Sequence, residues 1–294
     1  MKGILNILKP PGMTSHDVVS LVRRKIGIKK VGHTGTLDPN AAGVLPICIG
    51  QATKISQFLL DADKTYRAEL TLGITTDTQD IYGKVLNKKD VNLSNNEIIE
   101  SIMKFVGEYS QIPPMYSAVK VKGKKLYELA REGIQIDRQA RKVKIHSIDI
   151  ISICGNKILF DVNCSKGTYI RTLCHDIGED LNCGGIMSFL LRTKTSGFDI
   201  QSAITIEELD EIDDIQSILK PIDFPLMHMP KIDIEPKYKK AALNGNKIPI
   251  EYLPSHLSIG ETLRIYLEKK FIGIGQINYD DKNRFYIRFT RLLV

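Results

Sequence analysis

Residues 32–46 read GHTGTLDPNAAGVLP, a turn-rich loop that runs into an apolar segment. The three glycines of this stretch let the backbone turn tightly and approach a ligand closely. Pro39 disfavours the helical conformation at Asp38 and stiffens the chain there. The pattern therefore predicts a loop, held between regular elements, that can present the Asp38 carboxylate in a fixed pose.

Asp38 has two interpretations when the residues alone are considered. In the first, the loop is a surface turn in which Asp38 caps the following segment or bonds to its own backbone. In the second, its carboxylate serves a functional site. The glycine, histidine and threonine residues around it leave both interpretations open.

The segments around the loop predict a mixture of helices and strands. Thr14 and Asp17 have the capping-box spacing, and apolar residues then follow helical periodicity until Gly27, which predicts a helix over 17–25. Periodicity elsewhere predicts strands over 66–72, 143–151 and 158–162 and helices over 95–106 and 125–131. Because helices and strands do not alternate strictly, we expect an α/β chain of the α+β type with a largely antiparallel or mixed sheet.

A proline-punctuated joint over 221–230 marks a change in pattern. We place a domain boundary there, with a larger domain over 1–227 and a small one over 228–294. The tail predicts a helix over 236–243 and strands over 262–267, 271–277 and 284–293, which together indicate a small barrel-like β unit.

Composition narrows the class of protein. The net charge is +7, and residues 228–294 hold 12 Lys and Arg against 7 Asp and Glu, or +5 of that total. This asymmetry favours a nucleic-acid partner, although a solvated basic surface would look the same. The five cysteines form no Cys-x-x-Cys pair or zinc spacing. With no candidate membrane span or secretory segment, we expect a cytoplasmic protein.

The 32–46 stretch resembles the signature of the TruB family of tRNA pseudouridine synthases. Further segments are similar to the family in the same order, so that the resemblance covers nearly the whole chain: KPPGMTS at 9–15, KTYRA at 64–68, GITTDT at 73–78 and KGTYIRTL at 166–173. The tail resembles a PUA-like RNA-binding domain more loosely.

The resemblance implies a pseudouridine synthase that isomerises uridine 55 in the T arm of tRNA. This reaction breaks the C1′–N1 bond of the nucleotide, turns the uracil over and joins C5 to C1′. It needs a carboxylate beside the sugar, as in glycosidases, and the resemblance assigns that role to Asp38. We expect no cofactor and no metal.

The resemblance also assigns the substrate-binding side chains. Arg171 is placed beside Asp38, where a guanidinium favours the charged carboxylate. Tyr66 is expected to stack on the uracil and His33 to brace the gap that a flipped base leaves. Leu190 completes the predicted set. Read without the family, Arg171 would be a surface ion pair, Tyr66 a packing residue and His33 a loop residue.

Basic residues bracket the predicted helix over 125–131. We expect contacts to the RNA backbone from Lys120, Lys122, Lys124 and Arg141, within a segment at about 120–144 that resembles the family's RNA-clamping insertion. A solvated charged face is the alternative. The expected partner is tRNA, with no membrane and no required protein partner, and the expected state is a monomer.

Two other functions remain open at the level of sequence. One is a noncatalytic RNA-binding protein that assists tRNA folding, with a vestigial loop. The other is a pseudouridine synthase acting on other RNA. Intact Asp38, Tyr66 and Arg171 favour catalysis over the first.

Overall fold

A computed structural model describes every residue except Lys122, Tyr252, His256, Asn283 and Val294. The strands before residue 200 are β1 Gly3–Lys9, β2 Val31–His33, β3 Ala42–Ile49, β4 Lys64–Leu72, β5 Ile74–Thr76, β6 Val85–Lys88, β7 Gly107–Gln111, β8 Lys120–Val121, β9 Lys124–Lys125, β10 Arg141–Cys154, β11 Lys157–Cys164, β12 Gly185–Thr195 and β13 Phe198–Asp199. The strands of the tail are β14 Lys231–Ile234, β15 Ile248–Pro249, β16 Thr262–Leu267, β17 Lys270–Tyr279 and β18 Phe285–Leu292. The α-helices are α1 Ser15–Ile26, α2 Ser56–Leu60, α3 Asn95–Met103, α4 Leu126–Arg131, α5 Ile170–Asp180, α6 Ile206–Glu211, α7 Ile215–Ile218 and α8 Lys239–Leu243.

One mixed sheet organises the larger part of the chain. Its strand order is β1-β3-β12-β4-β11-β10-β7, with β2 paired to β3 and β13 paired to β12. The β3–β12 pair is parallel, with Leu191 opposite Ala42, and the other pairs are antiparallel. This sheet and the helices around it confirm the predicted α/β class. The order also brings the chain following β2 next to β12.

The strand after the Asp38 loop is buried on both faces. Leu45 and Ile47 of β3 pack in one core cluster with α1, whereas Val44 and Cys48 lie in a second cluster on the opposite face. A strand covered on both sides is apolar at successive positions, which explains the unbroken run over 44–49. The loop is therefore anchored to the interior of the molecule at its C-terminal end.

Helix α5 packs on the other half of the sheet. Leu173 and Ile177 are fully buried in one cluster with Leu70 of β4 and Phe160 of β11. A Cβ at Gly178 would meet the backbone nitrogen of Gly185 at 2.1 Å, so only glycine allows α5 to approach β12 this closely. Because Arg171 lies in the first turn of α5, this packing fixes the position of the Arg171 backbone, from which its side chain extends.

The tail forms a separate five-stranded sheet in the order β14-β16-β17-β18-β15. It has a core of its own, to which Leu263, Ile277 and Ile287 contribute. It also rests on the larger part, because Ile274 and Leu293 share a core cluster with residues such as Leu226. The predicted tail strands are all present, and the predicted helix over 236–243 occurs as a 3-10 turn followed by α8.

The predicted helices and strands of the larger part are also present, with small shifts at their ends. Helix α1 begins at Ser15, two residues before the prediction, because Thr14 is its N-cap and Asp17 closes the capping box from the third position. The sequence did not predict β1 or β12. None of the helices in the described part of the chain has the length and hydrophobicity of a membrane span.

Candidate active site

The Asp38 loop is tied down on both sides of the carboxylate. The Ser15 hydroxyl accepts from the Leu37 N–H at 2.9 Å and lies 3.3 Å from the Leu37 carbonyl. On the other side, the Pro39 carbonyl accepts from the backbone N–H of Gly12 and from Lys9 Nζ, both at 3.0 Å. The fixed pose predicted for Asp38 thus has a physical basis in hydrogen-bonded backbone neighbours.

Two buried cations support the same loop from inside. Lys9 donates from Nζ to the carbonyls of Pro10, Met13 and Pro39 at 2.7–3.0 Å, and burial lowers its pKa to about 8. Arg192 of β12 donates to the carbonyls of Val44 at 2.8 Å and Gly35 at 3.2 Å. Buried charges need such partners, so both side chains fix the loop by satisfying its carbonyl groups.

A bidentate ion pair joins Asp38 to Arg171. Arg171 Nε lies 2.9 Å from Asp38 Oδ2, and Nη2 donates to Asp38 Oδ1 at 3.3 Å. Arg171 also donates to the carbonyls of Thr78 at 3.2 Å and Tyr116 at 2.9 Å. Its side chain is 6% exposed, whereas that of Asp38 is 41% exposed. The two backbone carbonyls therefore fix the guanidinium on its buried side, while the carboxylate faces open space.

That space is a cleft of about 740 Å³, a volume typical of small-ligand sites. Its walls come from the Asp38 loop, the turn that precedes β6, the segment between β7 and α4, and β12. Side chains that line it include His16, His33, Asp38, Asp80, Tyr82, Tyr116, Lys125, Tyr127, Arg131, Tyr169, Arg171, Phe189 and Leu190. The structure thus brings Asp38, Arg171, His33 and Leu190 of the predicted set together.

His33 lies beside the loop in a partly buried position. Its Nδ1 accepts from the Gly35 N–H at 3.3 Å. Burial, followed by the charges of Arg192 and His16, lowers the pKa of His33 below its ordinary 6.5, so the imidazole is neutral near pH 7. This contact is the loop hydrogen bond that the residues alone suggested, and it orients the ring next to the cleft.

Tyr66 lies in the core beside the cleft. It is 7% exposed and belongs to the core cluster that includes the cleft residues Leu37 and Ala41, but it does not itself line the cleft. Burial raises the pKa of its hydroxyl to about 12. The ring therefore backs the cleft wall, and its contact with a base remains a prediction.

Three of the predicted backbone-binding cations lie outside the cleft. Lys120, Lys124 and Arg141 are exposed, and Lys124 Nζ lies 3.9 Å from a carboxylate oxygen of Glu132. Lys122 falls outside the described residues. The cleft is instead bordered by Lys125, Tyr127 and Arg131, and both cations lie within 6 Å of the Tyr127 ring.

Sequence reasoning missed several of these residues. Tyr127 and Arg131 are four apart, so they share one face of α4, and this spacing was the available signal. Arg192 stands two residues before Lys194 in a segment that turns polar at this point, and its burial could not be read from the pattern. Asp77 and Asp80 make hydrogen bonds within their own turn. The Asp77 carboxylate accepts from the Lys84 N–H, and the Asp80 carboxylate accepts from the Thr78 hydroxyl and the Tyr82 N–H.

The chain is similar to known proteins over its full length. Residues 23–170 match the TruB family pseudouridylate synthase N-terminal domain, and residues 171–227 match the tRNA pseudouridylate synthase B C-terminal domain. It is 62% identical to tRNA pseudouridine synthase B of Alkaliphilus oremlandii, over 100% of this chain and 99% of that protein. Identity to the protein of that name from Clostridium kluyveri is 52%, over 94% of this chain and 95% of the other.

Solved structures share the fold. A chain from the structure of an H/ACA ribonucleoprotein bound to a substrate RNA containing 2′-deoxyuridine superimposes with a TM-score of 0.76 at 25% identity, covering 99% of this chain and 85% of that chain. A chain from an archaeal box H/ACA complex gives a TM-score of 0.75 at 26% identity, over 99% and 86% of the two chains.

Proposed function

The chain belongs to the TruB family of pseudouridine synthases, and from this membership we propose that it converts uridine 55 in the T arm of tRNA to pseudouridine, with Asp38 as the catalytic carboxylate. Pseudouridine formation in tRNA is the activity for which its relatives are named. The observation that carries the assignment of Asp38 is its bidentate pair with Arg171 at the edge of a cleft.

The carboxylate acts on the sugar of a nucleotide seated in this cleft. In one route Asp38 attacks C1′, an ester bond forms, and uracil leaves through N1 as an anion. After the uracil turns, C5 attacks C1′, the ester breaks, C5 loses its proton and N1 gains one. In the other route Asp38 removes the C2′ proton as uracil leaves, which forms a C1′–C2′ double bond. The proton returns to C2′ as C5 joins C1′, and C5 then loses its proton while N1 gains one. Both routes require the ionised carboxylate.

Arg171 holds the Asp38 carboxylate in one orientation. The planar guanidinium holds both carboxylate oxygens, which leaves their remaining lone pairs directed to the cleft. Because the Thr78 and Tyr116 carbonyls hold the guanidinium, it cannot follow a moving ligand.

The remaining predicted residues serve the flipped nucleotide. We assign His33 and Leu190, at the cleft surface, to the base or to the gap it leaves, and Tyr66 to the base from the core side. Lys120, Lys122, Lys124 and Arg141 are assigned to RNA phosphates, and tRNA is the only partner that this scheme requires. Residues 1–227 would form the catalytic domain and 228–294 a PUA-like RNA-binding domain.

Position-specific tritium release tests the proposal. Two T-arm hairpins carry 5-tritiated uridine, one only at position 55 and one only at a neighbouring uridine. Since C5 must lose its hydrogen when it joins C1′, the full-length protein should release tritium from the first RNA and not from the second. Binding without release from either would favour a noncatalytic folding role, and release from the second would refute the site assignment.

A further inference from the structure

The first turn of α5 is capped by a side chain from strand β7. Its N-cap residue, Tyr169, makes no side-chain capping bond. The Gln111 amide serves instead: its Oε1 accepts from the Tyr169 N–H at 2.8 Å and its Nε2 donates to the Tyr169 carbonyl at 3.1 Å. Two bonds from one planar group to the backbone of one residue fix both the position and the rotation of that residue.

Gln111 is placed so that this contact is rigid. The residue is 1% exposed, and Nε2 also donates to the Tyr109 hydroxyl, so its acceptor and both donors are directed at partners. Gln111 ends β7, which is paired along its length to β10 in the main sheet. The position of the first turn of α5 is therefore fixed by contact with the main sheet as well as by the bonds of the helix itself.

The same short segment also holds the Arg171 head group. Five residues beyond Gln111, the Tyr116 carbonyl accepts from Arg171 Nη2 at 2.9 Å. The chain then continues into the cleft border, where the Ser117 carbonyl accepts from the N–H of Tyr127 at 3.1 Å. Residues 111–117 thus bind the Arg171 guanidinium through Tyr116, and they bind the backbone of Tyr169, two residues before Arg171, through Gln111. The same segment also contacts α4.

We propose that Gln111 is a positioning residue that directs the Arg171 guanidinium toward Asp38. Gln111 does not reach the cleft, and it acts through Tyr169 and Arg171. The catalytic consequence rests on the function proposed above, whereas the effect on the ion pair does not depend on it.

Two substitutions separate positioning from simple packing. Gln111→Leu removes all the amide hydrogen bonds. Gln111→Glu keeps the shape, but the ionised carboxylate cannot donate to the Tyr169 carbonyl, and the protonated form can. A lower pH should therefore restore the contact in the Glu variant. Asn6→Leu is a matched control, because Asn6 is a buried amide that donates to the Asp199 carbonyl at 2.9 Å and does not line the cleft.

Three measurements are made on the full-length protein. The first is the Arg171 Nε–H signal in nitrogen-15 NMR spectra without RNA, assigned by its loss in Arg171→Lys. The second is the affinity for a T-arm hairpin, and the third is single-turnover tritium release at saturating hairpin. In folded Gln111→Leu we expect the signal to shift or broaden and the rate to fall about 100-fold, the order of effect of a misplaced group, with affinity within about threefold of the parent.

The Glu variant supplies the decisive comparison. Its rate divided by that of the parent should rise as the pH falls, and its Arg171 signal should return toward the parent position. An unchanged Arg171 signal in both variants, or a rate ratio for the Glu variant that stays near one at every pH, would overturn the proposal. If the parent itself released no tritium, the proposed function would fail while the NMR comparison still tested the positioning role.

Discussion

Replacing Arg171 with Lys keeps the positive charge beside Asp38 but removes the planar fork. Arg171 makes four polar contacts, two to the Asp38 carboxylate and one each to the carbonyls of Thr78 and Tyr116. A lysine ammonium can reach at most some of these from a single point. Each lost hydrogen bond costs about 1 kcal/mol, and the cost is larger where a carbonyl is left buried without a hydrogen-bond donor. The free energy of unfolding should therefore fall by roughly 2–4 kcal/mol.

The effect of Arg171→Lys on the reaction rate should be larger than a weakened ion-pair attraction alone would give. Because Asp38 is 41% exposed, solvent screens the ion pair, and the attraction itself is worth about 1 kcal/mol or less. The main loss is orientation of the carboxylate, for which a displacement of about 1 Å costs on the order of 100-fold. We therefore expect single-turnover tritium release to slow by about 100-fold to 1,000-fold, with hairpin affinity nearly unchanged.

Arg67→Lys is the matched control. Arg67 forms a bidentate pair with Asp161, with both bonds at 2.8 Å, but this pair is exposed and does not line the cleft. Its replacement should leave the rate unchanged and alter the free energy of unfolding by less than about 1 kcal/mol. A rate for folded Arg171→Lys within about fivefold of the parent would refute the reasoning that the fork orients Asp38.

Three further predictions use other parts of the molecule. Tyr66→Leu should abolish most turnover while Tyr66→Phe keeps most of it, because the ring and not the hydroxyl would contact the base; equal single-turnover rates for the two variants would exclude this. Lys120→Gln and Lys124→Gln should each weaken hairpin binding and reduce its logarithmic salt slope by about 1, without changing the saturated rate; unchanged slopes would remove both from the RNA interface. Asp176→Asn should stabilise the protein at pH 7 by roughly 1–3 kcal/mol, since burial, together with the charge of Glu179, raises the Asp176 pKa to about 6 and thus penalises the ionised native form. In denaturant titrations that gain in stability should disappear as the pH falls through 6 to below 4, where Asp176 is neutral in the folded and the unfolded state. A gain that does not change with pH would contradict burial of the ionised carboxylate as its cause.

The Asp38 loop could be predicted well from the sequence because its determinants are local. Glycines and Pro39 act on their own backbone, and a capping box is a matter of spacing within a few residues. The pair between Asp38 and Arg171 is different, since 133 residues separate its members. Their approach depends on the order of strands in the sheet, which periodicity does not determine, and only the resemblance to a family placed them together.

Burial of polar residues was the hardest feature to predict. Lys9, Gln111 and Arg192 are all nearly inaccessible, whereas their residue types are usually exposed. Their partners include backbone groups of distant segments, such as the Pro39 carbonyl for Lys9 and the Tyr169 N–H for Gln111, and such pairings leave no mark on the sequence. Strand β12 was missed for a related reason: register shifts after Met187 and Arg192 interrupt its alternation.

Single-turnover tritium release by Asp38→Asn tests the central claim most directly. Asn preserves the shape of the side chain and most of its hydrogen bonding, but it can neither attack C1′ nor accept the C2′ proton. The variant should therefore bind the T-arm hairpin nearly as well as the parent and release no tritium, even in long incubations. Release within about tenfold of the parent rate, equivalent to only ~1.4 kcal/mol of barrier, would show that Asp38 is not the essential carboxylate.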